Sequence, residues 1–498
     1  MSFAQNRKEP PHKNLQIPGN FRQFFIYLSR DIKSKIANRQ YLLLTLLEAP
    51  VLGFILSFII RYIPDPGSDV YIFSENENIP IYIFMSLIVA LFLGLTISAE
   101  EIFRDRKILK RERFLNLSRS SYLFSKVAIL IIISAFQCFL FVIIGNPILG
   151  IKGMYFNYWL ALFTTAFCAN MLGLNISASF NSAIAIYIVI PLLIIPMMVL
   201  SGAMFSFDKL NRIIGNVDKV PVIAELMPTR WTYEALIVTQ FKDNEYSKVP
   251  YTRDGKTYFM LQQEISMAEF NKVQRIKILN DALNTTVYEY RNQIRNSGLD
   301  SEQALKKSIP YYSKIELLMN EIKRLNIHDD IPPFNYTGKL THEAFDLEIA
   351  DSLSKYLERL DKHFSKVSNS ANDIKDRFFN ANSASLKKLE ADYFNYKLQE
   401  IVTKPYERKK ILEYKNSLIQ NTDPVYLEPD KKGPLSFRTH FYAPSKYFLG
   451  IKTDTYVFNI IIVLMSTVIL YLTLYFEILV KIIVFIENIK FRKRVLYH

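Results

Sequence analysis

Apolar residues gather into six long runs, five between residues 41 and 205 and one over 456–484, and the stretch that parts the fifth from the sixth is polar. A run of about 20 apolar residues is what one α-helix needs to cross roughly 30 Å of hydrocarbon, where every backbone N–H and C=O must be bonded inside the segment. The pattern predicts membrane-spanning helices over 41–63, 79–98, 126–144, 155–176, 183–205 and 456–484. The expected fold is an all-α membrane protein with six transmembrane helices and a large helical insertion, 206–455, between the fifth and the sixth.

Helical periodicity also marks the polar parts. Before the first span, Phe21, Phe24, Phe25, Leu28, Ile32 and Ile36 recur at helical spacing with Arg22, Arg30, Lys33 and Lys35 on other faces, which predicts an amphipathic helix on the membrane surface. Such a helix serves either as a basic topology anchor or as a mechanical link to a partner. In the insertion, Val222–Met227 and Trp231–Phe241 are apolar but too short to cross, so a re-entrant or interfacial helix pair is expected. Four amphipathic helices follow, around Phe270–Tyr290, Ile315–Leu325, Ile349–Phe364 and Leu386–Tyr396, as a bundle or long antiparallel hairpin. Pro332, Pro333 and Gly338 divide it, and the 424–434 segment leads back to the last span.

Charge sets the expected orientation. The formal net charge is +14, yet the mean hydropathy is only +0.08, because a polar insertion dilutes the membrane portion. The 99–126 connection holds Arg104, Arg106, Lys107, Lys110, Arg111, Arg113 and Arg119, and the tail holds Lys490, Arg492, Lys493 and Arg494. Both should be cytoplasmic by the positive-inside bias, whereas the acidic 64–78 connection and the insertion should face the other side. This predicts a multi-pass membrane protein with both termini inside and the insertion outside, in the periplasm or extracellular space. The expected divisions are a cytoplasmic N-terminus and connecting helix (1–40), five spans (41–205), the insertion (206–455), and the sixth span with its basic tail (456–498). With the positive charge beside the spans and no nucleic-acid motif, nucleic acid is not an expected partner.

Enzyme chemistry finds little support. There is no G-x-x-x-x-G-K-[ST] phosphate loop, so ATP and Mg are not expected to bind this chain. Leu200–Met204 resembles a nucleotide-cassette signature only superficially, since it ends an apolar run. The six histidines are scattered, which leaves no expected metal site, and the carboxylates of the insertion fall on solvated helix faces. Cys138 and Cys168 lie in spans, so the insertion folds without disulfides. Within the spans, Glu48 stands as an intramembrane charge before Pro50; it would need a cation or a donor nearby, either as a structural pair or as a latch or proton site. Glu477 and Lys481, four apart, are expected to satisfy one another. Pro191 and Pro196 predict a bend in the fifth span, followed by Met197 and Met198.

In that order and topology the chain resembles the transmembrane half of ABC transporters of the G (White) subfamily, of the ABC-2 type, in a Bacteroidetes-like bacterial form. The likeness covers 21–245 and the last span. Gln23-Phe-Phe-Ile-Tyr-Leu28-Ser-Arg30 resembles the family's connecting helix, and Tyr41-Leu-Leu-Leu-Thr-Leu-Leu-Glu48-Ala-Pro50 its first span. Glu100-Glu101-Ile-Phe103-Arg104-Asp-Arg106 through Lys110-Arg111-Glu112-Arg113 is similar to the stretch that forms the coupling helix there. Pro228-Thr-Arg230-Trp231-Thr-Tyr233-Glu234-Ala235-Leu236 is similar to its re-entrant segment.

The resemblance implies a homodimeric or pseudo-dimeric permease of the bacterial inner (plasma) membrane, its insertion periplasmic, driven by a nucleotide-binding ABC ATPase domain that is absent from this sequence, with ATP and Mg in that partner. It implies coupling through Gln23, Arg30, Glu100, Glu101, Phe103, Arg104, Arg106, Lys110, Arg111, Glu112 and Arg113. It also implies a cavity between the second and fifth spans, with Met85, Val89, Phe92, Leu192, Ile195 and Met198 as cargo contacts. Those walls offer apolar area and almost no fixed charge, which suits a lipid-like or hydrophobic substrate. The segment from about 246 to 452 is much longer than the family's outer loop and lacks its cysteines. An exporter with membrane lipids around it is one expectation; a mechanotransmitter that drives a periplasmic protein through the insertion, without cargo, is another, and a passive scaffold a third.

Overall fold

The computed structural model describes residues 18–112, 118–211, 213–216, 218–295, 301–327, 330–430, 433 and 436–495. Helix α1 (Asn20–Ala37) meets α2 (Arg39–Ile60) across one residue, Asn38, whose side chain caps α2 by accepting from the Tyr41 N–H at 3.1 Å. Then come α3 (Ile79–Ser98), α4 (Glu101–Glu112), α5 (Arg119–Ile148), α6 (Tyr155–Ser179) and α7 (Ala183–Val199). The insertion contains α8 (Val222–Glu225), α9 (Pro228–Lys242), α10 (Tyr258–Phe270), α11 (Ile276–Arg295), α12 (Ser301–Leu325), α13 (Leu347–Ala381), α14 (Ser383–Tyr393) and α15 (Tyr396–Thr403). Helices α16 (Thr455–Tyr475) and α17 (Ile478–Val495) close the chain.

Five helices of the described residues are long and apolar enough to cross a membrane: α2, α3 with its continuation into α4, α5, α6 and α16. The fifth expected span is shorter than its apolar run. Helix α7 ends at Val199, because the chain turns through Leu200 and Gly202, the latter at φ +82°. Its 17 residues cover roughly 25 Å at about 1.5 Å per residue. Close helix contact comes from small residues: a Cβ at Gly94 of α3 would press on the Ala166 carbonyl and the Ala169 side chain of α6.

The last apolar run is also divided. Glu477 adopts φ +54° between α16 and α17, and its carboxylate lies 2.7 Å from Arg119 at the head of α5. That corrects the expected Glu477–Lys481 pair: the two residues straddle a helix start, and a guanidinium from another element reaches the carboxylate.

The insertion is helical with two additions that periodicity did not predict. β1 (Ile411–Tyr414) pairs antiparallel with β2 (Ser417–Gln420), and β3 (Ser445–Phe448) with β4 (Ile451–Asp454). Four-residue strands carry too few positions for alternation to register. The expected helix around Leu386–Tyr396 breaks at Phe394, because Asn395 caps α15 through the Leu398 N–H at 2.9 Å. Its amide also donates to the Phe73 and Asn76 carbonyls, each at 2.9 Å, tying α15 to the α2–α3 connection.

Two cores result. Leu279, Leu283, Leu318, Ile322, Leu353, Leu357 and Leu360 pack α11, α12 and α13 into a distal bundle. Phe394, Leu398, Val402, Val425 and Tyr426 instead join Tyr82, Leu87, Tyr158, Leu236 and Phe241, so the base of the insertion shares one core with the membrane helices.

Candidate coupling site

Helix α4 follows α3 after a turn at Ala99 and Glu100, and two amides of its first turn, those of Ile102 and Phe103, donate to the Ser177 hydroxyl of α6 at 3.0 and 2.9 Å. Because the helix repeats every 3.6 residues, Glu101, Ile102, Asp105 and Leu109 fall on one side and Arg104, Lys107, Ile108 and Arg111 on the other. The first side is turned inward and the second is exposed.

The inward side meets α1 and α5 at a buried charge cluster. Glu101 is only 3% exposed and pairs with Lys35 of α1 and with Lys126 of α5, the latter at 2.9 Å. Lys126 also reaches Asp31 of α1 at 3.1 Å and Asp105 at 2.9 Å, and the Tyr122 hydroxyl donates to Asp105 at 3.0 Å. Buried charges of this kind stand only when paired and hydrogen-bonded. Here one ammonium answers carboxylates from two helices, so α1, α4 and α5 cannot separate without exposing or stranding charge.

The expected coupling residues divide between the two roles. Gln23 is buried and bridges backbone on two sides: its amide donates to the Pro18 carbonyl at 2.7 Å and its carbonyl accepts from the Ser118 N–H at 2.7 Å. Arg30 lies over the Tyr27 ring. Glu100 accepts from the Tyr187 hydroxyl of α7 at 2.6 Å, which places α7 against the same segment. Phe103 is half-buried, and Arg106 donates to the Ala178 carbonyl at 2.7 Å and to Asn181 beyond the end of α6. Arg104, Lys110 and Arg111 are exposed. The Glu112 side chain and Arg113 lie outside the described residues.

Asp31, Lys35, Asp105, Tyr122 and Lys126 were not among the expected site residues. Lys126 carried a signal, a cation at the head of an apolar run; α5 in fact begins a full two turns earlier, at Arg119, which sinks Lys126 into the helix cluster. Helix α1 is amphipathic as its spacing predicts, with polar Gln23 and Lys35 packed inward and Phe21, Phe25, Ile32 and Ile36 exposed.

Among the expected cargo contacts, Met85, Val89 and Met198 border the main core, while Phe92, Leu192 and Ile195 are 41%, 67% and 59% exposed. With Ile81, Ile184 and Ile188 they give α3 and α7 an open apolar face in a single copy. Glu48 is half-buried, and among the described residues no cation or donor meets its carboxylate.

A second buried cluster joins α9 to the rest. Glu234 takes Lys446 of β3 at 2.9 Å, the Asn459 amide of α16 at 2.8 Å and the Tyr442 N–H at 3.1 Å, with Arg230 at 3.3 Å stacked over Trp231. Burial disfavours both ammonium and carboxylate; it pushes Lys446 down to about 8, while Arg230 and Lys446 hold Glu234 below its usual range.

Residues 22–241 match the model of the ABC-2 type transporter family, so this stretch is a membrane domain of that type. The chain is also 23% identical over 245 residues to an ABC transporter ATP-binding/permease protein of Mycobacterium tuberculosis, covering 46% of this chain and 26% of that protein. The chain thus spans about a quarter of the length of this curated relative.

Proposed function

We propose that this chain, whose residues 22–241 are an ABC-2 type membrane domain, is the permease subunit of an ATP-driven exporter that moves a lipid-like or hydrophobic cargo across the inner membrane. ATP and Mg belong to a nucleotide-binding ABC ATPase domain, supplied by a separate chain or by a longer version of this one, and a second copy completes the passage. The relative's name, which joins ATP-binding and permease functions, supports that pairing. The observation that carries the reading is the two-sided α4. Its exposed Arg104, Lys107, Ile108 and Arg111 offer a basic and apolar docking surface, while Glu101 and Asp105 hold it to α1 and α5. A push on α4 from the cytoplasm would move α1 and α5 with it, and Glu100 would carry the motion to α7 through Tyr187. The open apolar face of α3 and α7 would form the cargo wall against the second copy.

A mechanotransmitting subunit that drives a periplasmic partner is the second reading, favoured by the shared core that links the spans to the base of the insertion. In either reading α4 must meet the ATPase. Charge reversal of Arg104 and Arg111 together should lower association with the co-purified ATPase and its coupled hydrolysis by at least about tenfold, since like charges across an interface cost several kcal/mol. Unchanged association and hydrolysis, in a variant with an unaltered melting temperature, would rule the docking surface out.

A further inference from the structure

The two hairpins of the insertion have the same turn geometry and opposite turn chemistry. Between β1 and β2 the central residues are Lys415 and Asn416, at φ +50° and +52°; between β3 and β4 they are Leu449 and Gly450, at φ +50° and +81°. Two central residues at positive φ make the tight turn that matches strand twist, and this backbone favours Asn, Asp or Gly because a bulky side chain crowds the carbonyl. Lys-Asn is a choice suited to water. Leucine at the same place is poor for the backbone and, at 64% exposed, poor for solvent; Phe448 and Ile451 beside it are 39% and 68% exposed.

The position of that tip resolves the conflict. The Phe448 ring lies 6.1 Å from the Phe458 ring, and the Phe437 ring lies 6.3 and 6.0 Å from the two. Phe458 is three residues beyond Thr455, the first residue of α16, so it sits roughly 4.5 Å along the helix axis. The hairpin therefore folds back beside the first turn of the span, and its tip continues the exposed apolar face of α16 made by Val457, Ile461, Leu464 and Met465. The strand charges are paired away from the tip: Lys446 is closed on Glu234, Asp454 at the base takes Lys242, and Lys452, one rung from the tip opposite Tyr447, reaches Glu428 at 3.0 Å.

We infer that the 448–451 turn is inserted among phospholipid acyl chains, in the leaflet on the side of the insertion, as a lipid-contacting wedge. Continuity with the surface of a membrane span argues for lipid as the occupant, and the apolar side chain at a strained position argues that the tip leaves water. The wedge would hold β3, and through Lys446 the α9 and α16 cluster, at a fixed depth beside the span.

Cys138 and Cys168 are buried, so a single introduced cysteine can be labelled in the full chain. The purified protein carrying Leu449→Cys or, separately, Lys415→Cys would be labelled with an environment-sensitive fluorophore and reconstituted in phosphatidylcholine vesicles. The inference expects the label at 449 to be blue-shifted, quenched by lipid bearing a doxyl group near the head of its acyl chain, and shielded from iodide, with the label at 415 showing the reverse. Equal iodide quenching at both positions overturns it. So does shielding from both quenchers together with cross-linking between copies through Leu449→Cys, which would make the tip a protein interface. Ile451→Cys, on a strand rather than at the strained turn, repeats the test should Leu449→Cys fail to fold.

Discussion

At the scale of single residues, buried charge decides what can be changed. Among the described residues Lys126 is the one ammonium that faces Asp31, Glu101 and Asp105 together, so Lys126→Met leaves the buried Glu101 and its partly buried neighbours short of their shared cation. Removing one partner of a buried pair costs about 3–5 kcal/mol, and the melting temperature of the purified protein should fall accordingly. Adding Glu101→Gln should recover part of that loss; a double variant no better than the single would show that the cluster is not what holds the helices. His440 provides a different test, through pH. Burial depresses its imidazole to about 4, despite the bond of its ring nitrogen to the Pro424 carbonyl at 2.9 Å, and Lys446 and Arg324 oppose its charge while Glu234 favours it. Since the unfolded chain takes up the proton near its ordinary value of about 6.5, the contribution of neutral His440 is complete above that pH and is lost as pH falls toward 4. Thermal melts between pH 7 and 4 should steepen downward in the native protein and flatten in His440→Gln.

At the scale of elements, short helices and turns hold the long ones in register. Helix α9 is buried along almost its entire length, and its Glu234 accepts from a strand, a span and a loop at once. Glu234→Gln keeps the shape and removes the charge that Lys446 and Arg230 answer. A loss of about 3 kcal/mol or more is expected, with faster hydrogen exchange in β3 and the first turns of α16, as an uncompensated buried cation would produce. If exchange were unchanged there, Glu234 would not be what fastens the insertion to the last span. Where α4 begins, its Ile102 and Phe103 amides on Ser177 join a surface helix to a span by the same logic.

At the scale of the molecule, the insertion has a base fused to the membrane core and a distal bundle with a core of its own. Removing residues 256–420 would take Phe394, Leu398 and Val402 out of the shared core, so a cut there tests folding before it tests function. A cross-link is more selective. Lys152, in the α5–α6 connection, lies 3.0 Å from Asp392 of α14, and both side chains are accessible. With cysteines at 152 and 392 joined by a short bifunctional reagent, export of cargo should persist in vesicles with the ATPase if the base of the insertion stays fixed on the spans. Loss of output under the cross-link, with hydrolysis retained, would favour force transmission through the insertion.

The long apolar runs, the amphipathic α1, the mixed-charge α4 and the helical character of the insertion were legible in the sequence, because burial in hydrocarbon or against one helix face writes a periodic signal along the chain. The endings were not: Gly202 stops α7 early, Glu477 divides α16 from α17, and Asn395 starts α15, each by a local bond or a positive φ that hydropathy does not record. The segment that carries the candidate site was visible, but its charges were read as a surface. That Glu101 turns inward to Lys35 and Lys126, and that Glu234 meets Lys446 and Asn459 from more than 200 residues away, depends on which helices lie side by side. Hydrophobicity is a property of each segment, so sequence alone determined which segments are apolar enough to cross a membrane; charge pairing is a property of neighbours, so only the tertiary structure decided which of them are locked together.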